Sequence, residues 1–342
     1  MNAGFYEILG TDRFENLENT FTPEYKEYRK KWFEYPQKRI LGEFPLHLDV
    51  ESTNACNLRC AMCTRNFMTE KIGNIKWDLF KKVIDEASDY KLLSLKLNFR
   101  GEPLLHPELP KMVKYAKDKG ILEVQFNTNG LALPEKKSEE LIRAGLDRVI
   151  FSVDGAFKET YEKIRTGSDF ERVVQNIKRF VEIRNEMRLR KPIVRVQMVK
   201  MEENKHEVER FFNMWRDVVN RVAVVTQREP YIRGKGPSKK LEHFPCHQIW
   251  QRMVVWWTGE VFMCCGDWHG GYPLGDAKKD SLRDLWLGKK YNFVRELHST
   301  HRLEDLSICA RCEVNTPQFD KELAQVLKNY QISTNSSGLS MR

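Results

Sequence analysis

From Leu46 onward, short apolar or β-branched runs alternate with longer stretches whose apolar residues recur at three-and-four spacing. The short runs predict strands at 46–52, 93–99, 122–127, 148–153, 193–199 and 221–225. Between them, 77–90, 107–120, 135–144, 170–187 and 205–219 read as amphipathic helices, and Gly120 and Gly145 fall where helix C-terminal caps belong. Six strands joined by five helices describe an α/β fold with a parallel sheet over 46–228, whose ligands gather at the C-terminal strand ends. Residues 229–245 break the pattern with Pro230, Gly234, Gly236, Pro237 and Pro245 among several cations, as a linker or lid does. A smaller cysteine-bearing unit follows at 246–320, then a final helix and polar tail at 321–342 that reads as disordered. Residues 1–45 form an appendage, with Phe5 to Tyr35 reading as a packed or partner-binding segment.

Composition narrows the class. The 342 residues are 41% hydrophobic and 31% charged, with no apolar run near the roughly 18 residues of a membrane span. The N-terminus begins with charged and aromatic residues and has no apolar secretory core, so the expectation is a soluble cytoplasmic protein with no membrane partner. A net charge of +9 is spread among 48 acids without a basic block or nucleic-acid motif, which favours an acidic redox partner or anionic substrate over nucleic acid. Eight clustered cysteines without an export signal point to metal ligation, not disulfides.

The strongest local signal lies just after the first strand. Cys56, Cys60 and Cys63 are spaced C-x3-C-x2-C, a loop able to wrap three thiolates around one 4Fe-4S cluster and leave one iron without a protein ligand. A structural zinc site ordinarily pairs C-x2-C with a second pair, and no fourth cysteine lies close in sequence.

This loop resembles the signature of the radical S-adenosylmethionine (radical SAM) enzymes, and the resemblance spans about Leu46 to Met201. Arg100-Gly101-Glu102-Pro103 is similar to the family's GGEP motif, with Arg100 in place of the first glycine. Asn127-Thr128-Asn129-Gly130 looks like the segment ending the third strand, and Ser152-Val153-Asp154-Gly155 like the one ending the fourth. Arg165 resembles an arginine found after the fourth strand, and Gln197 sits on the fifth. The resemblance implies a partial (β/α)6 barrel in which Gly101, Glu102, Asn129, Ser152, Asp154, Arg165 and Gln197 contact S-adenosylmethionine. It also implies a flavodoxin- or ferredoxin-type electron donor and reductive cleavage of the cofactor to methionine and a 5'-deoxyadenosyl radical. Thiolate-bound 4Fe-4S clusters reach the low potentials such a cleavage requires, and chelation of the open iron would hold the sulfonium within reach.

Cys246, then Gly259 and Cys264 at the spacing C-x12-G-x4-C, resemble a SPASM or shortened twitch extension, completed by the pair Cys309 and Cys312. Trp257 to Val261 reads as a hairpin turn bringing Cys264 back toward Cys246. Four thiolates complete the ligation of one auxiliary 4Fe-4S cluster, making two clusters in all, although the same four could hold tetrahedral zinc. Cys265 reads as an alternate ligand, a buried small hydrophobe or a hydrogen-atom donor. His247 and His269 could face a substrate. The favoured function is hydrogen abstraction from a small polyhydroxylated substrate such as a sugar, aminocyclitol or nucleotide sugar, giving oxidation or epimerisation. The alternatives are a peptide-modifying maturase, disfavoured by the short stretch before the first strand, and a zinc-binding interaction module.

Overall fold

Alternation along each strand sorts the side chains onto two faces, and that sorting builds the molecule. In the computed structural model, which describes residues 22–227, 246–310 and 312, Leu48, Val50, Val124, Phe126, Val194, Val196 and Met198 point outward into one apolar core. The helices cover that face with Phe80, Val83, Met112, Ile177, Phe180 and Phe211. The alternate positions carry His47, Asp49, Glu51, Ser94, Lys96, Glu123, Arg148 and Arg195, which pair with one another or with neighbouring polar groups.

The parallel strands are β1 (His47–Val50), β2 (Ser94–Lys96), β3 (Glu123–Thr128), β4 (Arg148–Ser152), β5 (Ile193–Lys200) and β6 (Arg221–Thr226). Helix α1 (Pro23–Lys38) precedes them; α2 (Trp77–Asp89), α3 (Leu109–Asp118), α4 (Glu135–Arg143), α5 (Lys158–Ile164), α6 (Phe170–Glu186) and α7 (Val208–Trp215) connect them. Gly120 and Gly145 take φ of +83° and +87°, the left-handed conformation expected after α3 and α4.

The C-terminal unit contributes β7 (Arg252–Val255), β8 (Glu260–Phe262) and β9 (Gly275–Asp276), then α8 (Leu282–Leu287), α9 (Lys289–Ser299) and α10 (Ser307–Ala310). The expected hairpin is present as β7 and β8. It does not stand apart from the barrel: β7 pairs in parallel with β1, from His47 opposite Arg252 to Val50 opposite Val255. The result is one open nine-stranded sheet in the order β6-β5-β4-β3-β2-β1-β7-β8-β9.

Two expectations need adjustment. The predicted helix 205–219 begins later, at Val208, because the buried Glu207 carboxylate turns back to accept the backbone N–H groups of Ala156 and Phe157. Strand β2 stops at Lys96, where Asn98 Oδ1 accepts the Asn127 backbone N–H at 2.7 Å and takes the place of a ladder bond. The N-terminal appendage contains α1, which is capped by Thr22 and closes the end of the barrel opposite the cysteine loop. Its Tyr25 and Tyr28 pack on Leu46, Leu93 and Leu122, which lie just before β1, β2 and β3. The linker at 229–245 and the final helix at 321–342 lie outside the described residues.

Candidate cluster and cofactor site

The loop after β1 is clamped on both sides. The Asn54 amide donates to Lys71 O at 2.9 Å and accepts Gly73 N at 2.8 Å, while Thr53 Oγ1 donates to Gly73 O. On the far side, Arg59 N and Ala61 N donate to Thr166 O and Ile164 O at the end of α5, each at 2.9 Å. Cys60 is thereby buried, with Cys56 and Cys63 half-buried.

Gly101 is pressed against this loop. A β-carbon there would stand 2.2 Å from Thr53 O and 2.6 Å from Ala55 O, so only glycine fits. The next residue ties the two loops by donating Glu102 N to Ala55 O at 2.8 Å. Arg100, in place of the motif's first glycine, extends away from the contact. It makes a two-pronged ion pair with Glu51 at 2.7 and 2.8 Å and donates to Glu70 and to Trp268 O. Its guanidinium lies 3.4 Å from the Trp256 ring centroid, in cation–π range.

The buried Glu102 carboxylate accepts Leu104 N, Thr128 Oγ1 and Asn129 N at 3.0, 2.7 and 2.7 Å. Burial raises its pKa despite those donors. Its visible work is therefore to hold the end of β3 against the 100–104 loop. Asn129 in turn donates to Asn57 Oδ1 in the cysteine loop at 2.9 Å. Beside it, Asn127 Oδ1 is buried without a hydrogen-bond partner among the described residues, an acceptor offered to a ligand donor at this strand end.

Asp154 and Arg165 form a second buried anchor. Arg165 donates from Nε and Nη2 to Asp154 Oδ2 at 2.8 and 2.6 Å, and its Nη1 reaches within 4.0 Å of Cys60 Sγ. Burial opposes the Arg165 charge, but Asp154 and Cys60 outweigh it and raise its pKa. The other Asp154 oxygen accepts Val199 N at 2.7 Å, joining β4 to β5. Ser152 is half-buried opposite Gln197 in the ladder, and Gln197 accepts a hydrogen bond from Arg195 at 2.6 Å.

In the C-terminal unit, a β-carbon on Gly266 would lie 3.6 Å from Cys264 Sγ and 3.9 Å from Cys312 Sγ, so these sulfurs converge on it. Tyr291 OH pins the hairpin between Arg252 O at 2.7 Å and Met263 O at 2.9 Å, its single proton shared between the two carbonyls. Buried His298 spans Cys246 and Cys309, meeting the backbone N of one at 3.1 Å and the sulfur of the other at 3.4 Å. Cys265 is exposed, which overturns the buried-hydrophobe reading, and its sulfur donates to Gln248 Oε1 at 3.3 Å. His247 is half-buried; His269 Nδ1 lies 3.7 Å from Asp267.

The buried thiols call for a bound metal centre. Burial pushes Cys60 up to about 11 and Cys246 up to about 12, so a thiolate at either place needs a positive centre beside it.

A model of the radical SAM superfamily matches residues 50–214. A second model, of the SPASM iron-sulfur cluster-binding domain, matches 246–313. The chain is a radical SAM protein with a SPASM domain. This superfamily membership carries S-adenosylmethionine and two 4Fe-4S clusters, one catalytic and one auxiliary. A tungsten-containing aldehyde ferredoxin oxidoreductase cofactor-modifying protein from Pyrococcus furiosus is 25% identical over 311 residues, covering 77% of this chain and 87% of that protein. The structure of BtrN in complex with AdoMet and 2-DOIA is similar at a TM-score of 0.55 and 17% identity, covering 82% of this chain and 98% of BtrN. Streptococcus suis SuiB bound to S-adenosylmethionine is similar at 0.61 and 14%, covering 86% and 78% respectively. At these identities the two structures show the shared fold.

Sequence reasoning assigned no role to Asn57, Asn98 and Thr128, whose partners lie 72, 29 and 26 positions away, apart from the local bond of Thr128 to Gly130 N. The nearest sequence signal is the polar run flanking each motif.

Proposed function

We propose that this radical SAM protein abstracts hydrogen from a C–H bond of a small polyhydroxylated molecule and completes an oxidation or an epimerisation. The observation that carries the reading is the polar inner face of the barrel. Lys96 on β2, the open Asn127 Oδ1 on β3 and Gln197 on β5 supply hydrogen-bonding groups on this face, a surface matched to a hydroxyl-rich ligand and costly to an apolar one.

Cys56, Cys60 and Cys63 are the ligands of the site-open cluster, and Cys246, Cys264, Cys309 and Cys312 those of the auxiliary one. Gly101, Glu102, Asn129, Ser152, Asp154, Arg165 and Gln197 form the cofactor cradle. Within it Glu102 and Asp154 act by holding strand ends, and Asn127 presents an open acceptor. When bound, the cluster and S-adenosylmethionine supply a 5'-deoxyadenosyl radical. The chain's own part is to fix the cysteine loop between Gly73 and α5 and to keep water from the strand ends by burial. Cys265 is the candidate hydrogen donor. Its exposed thiol lies within electrostatic reach of Arg252, whose guanidinium meets Asp49 on the barrel face at 3.3 Å.

The test incubates reduced holoenzyme and S-adenosylmethionine with sugars or aminocyclitols in deuterium oxide. Oxidation gives substrate-dependent 5'-deoxyadenosine and a product lighter by two mass units; epimerisation through Cys265 places solvent deuterium on the reacting carbon and is lost in C265A. Turnover with peptides and none with polyols would overturn the substrate class.

A further inference from the structure

We infer that His298 is a positioning residue for the auxiliary cluster, donating an N–H···S hydrogen bond to Cys309 that raises the cluster's reduction potential. The inference rests on the reading of Cys246, Cys264, Cys309 and Cys312 as its ligands.

The tautomer follows from the contacts. A backbone N–H can only donate, so Cys246 N at 3.1 Å makes His298 Nδ1 an acceptor. In the neutral ring the proton then resides on Nε2. That nitrogen stands 3.4 Å from Cys309 Sγ, within hydrogen-bond range for sulfur. One imidazole thus orients two ligand residues, fixing the backbone of Cys246 and giving a donor to the sulfur of Cys309.

The ring is held for this task. His298 is 1% exposed in the last turn of α9, and its helix neighbours Val294 and Leu297 are buried in the core. Arg295 secures the same helix by donating to Ile249 O and Trp286 O at 3.1 and 2.7 Å. Cys246 and Cys309, the latter on α10, thus meet the two nitrogens of one ring on this helix.

A cluster gaining one electron spreads the added negative charge onto its thiolate sulfurs. A donor aimed at one sulfur stabilises the reduced form more than the oxidised form, so the couple moves to a higher potential. Removing the donor moves it down.

The experiment uses the full-length holoenzyme, with the two clusters separated because S-adenosylmethionine perturbs only the signal of the one it binds. In protein labelled with 15N-histidine, pulsed EPR of the reduced auxiliary cluster is expected to show a histidine nitrogen coupling that is absent in H298Q. In redox titrations followed by EPR, H298F is expected to shift the auxiliary couple to a more negative potential. H298Q, whose amide nitrogen can occupy the Nε2 position, is expected to stay close to the wild type. An unchanged potential in H298F with full iron content overturns the inference, as does a wild-type spectrum without histidine coupling. Should H298F fail to retain the cluster, the wild-type spectrum decides alone. Iron content separates this from the ligand assignment: if C246A and C309A retain about eight irons per chain, the assignment itself fails.

Discussion

Gly101 shows how a single missing side chain shapes the site. With Thr53 O and Ala55 O only 2.2 and 2.6 Å from where a β-carbon would stand, G101A must force the two loops apart. Overpacking of this kind costs about 1–3 kcal/mol, and here it is expected to weaken S-adenosylmethionine binding as well. Urea unfolding and equilibrium binding on anaerobic protein check both; equal affinity in G101A would count against the close-approach argument. Arg165 is the complementary case, a charge whose loss leaves Asp154 buried without its cation. Breaking such a pair costs about 3–5 kcal/mol, so R165A is expected to unfold at markedly lower urea, with R165K between it and the wild type because lysine lacks the two-pronged fit. The thiols were legible from spacing because one loop carries all three. Asn57, Asn98 and the Arg100 contacts were not, since partners such as Asn129, Asn127 and Trp268 come from distant segments.

At the scale of elements, β1 carries the clearest pH signature. Burial lowers the pKa of His47 below its ordinary 6.5, although Asp49 pulls the other way. Unfolding frees the ring to take a proton, so its contribution to stability is lost as pH falls through 6.5. For Asp49 burial alone would raise the pKa, but Arg252 and Lys96 outweigh it and hold the carboxyl well below 3.8. That contribution is present above 3.8 and lost as pH falls below it. Urea midpoints should therefore decline from pH 7 to 5 and more steeply under about 4; a flat profile between 7 and 5 would exclude the His47 part. Helix α1 offers a second prediction. Tyr25 OH donates to Glu123 at 3.1 Å and accepts from Arg148 at 2.8 Å, so Y25F is expected to cost about 1–3 kcal/mol in unfolding free energy. Periodicity revealed the longer helices because each buries one stripe. It did not reveal α5, whose seven residues span barely two turns.

For the whole molecule, the SPASM unit is an extension of the barrel sheet. His47 N donates to Gln251 O and Glu51 N to Val255 O, at 3.0 and 2.8 Å, and Arg100 stacks on Trp256 across the same seam. A chain ended after residue 227 would leave β1 as a bare edge. It is expected to associate, and gel filtration will show this; a stable monomer would mean the barrel needs no cover there. No helix among the described residues is long and apolar enough to cross a membrane. The sheet's continuity was hidden in the sequence because β1 and β7 are about two hundred residues apart and no local pattern announces their pairing.

That pairing also sets a rule for recombination. Arg252 and Val254 lie across from His47 and Asp49, whereas Met253 and Val255 turn into the core. A graft that slid β7 by one position would exchange the two sets, moving a guanidinium into oil and a methionine onto the polar wall. Chimeras built by transplanting a C-terminal unit from a relative should consequently tolerate junction offsets only in even steps, a parity constraint readable from expression levels across a ladder of junctions.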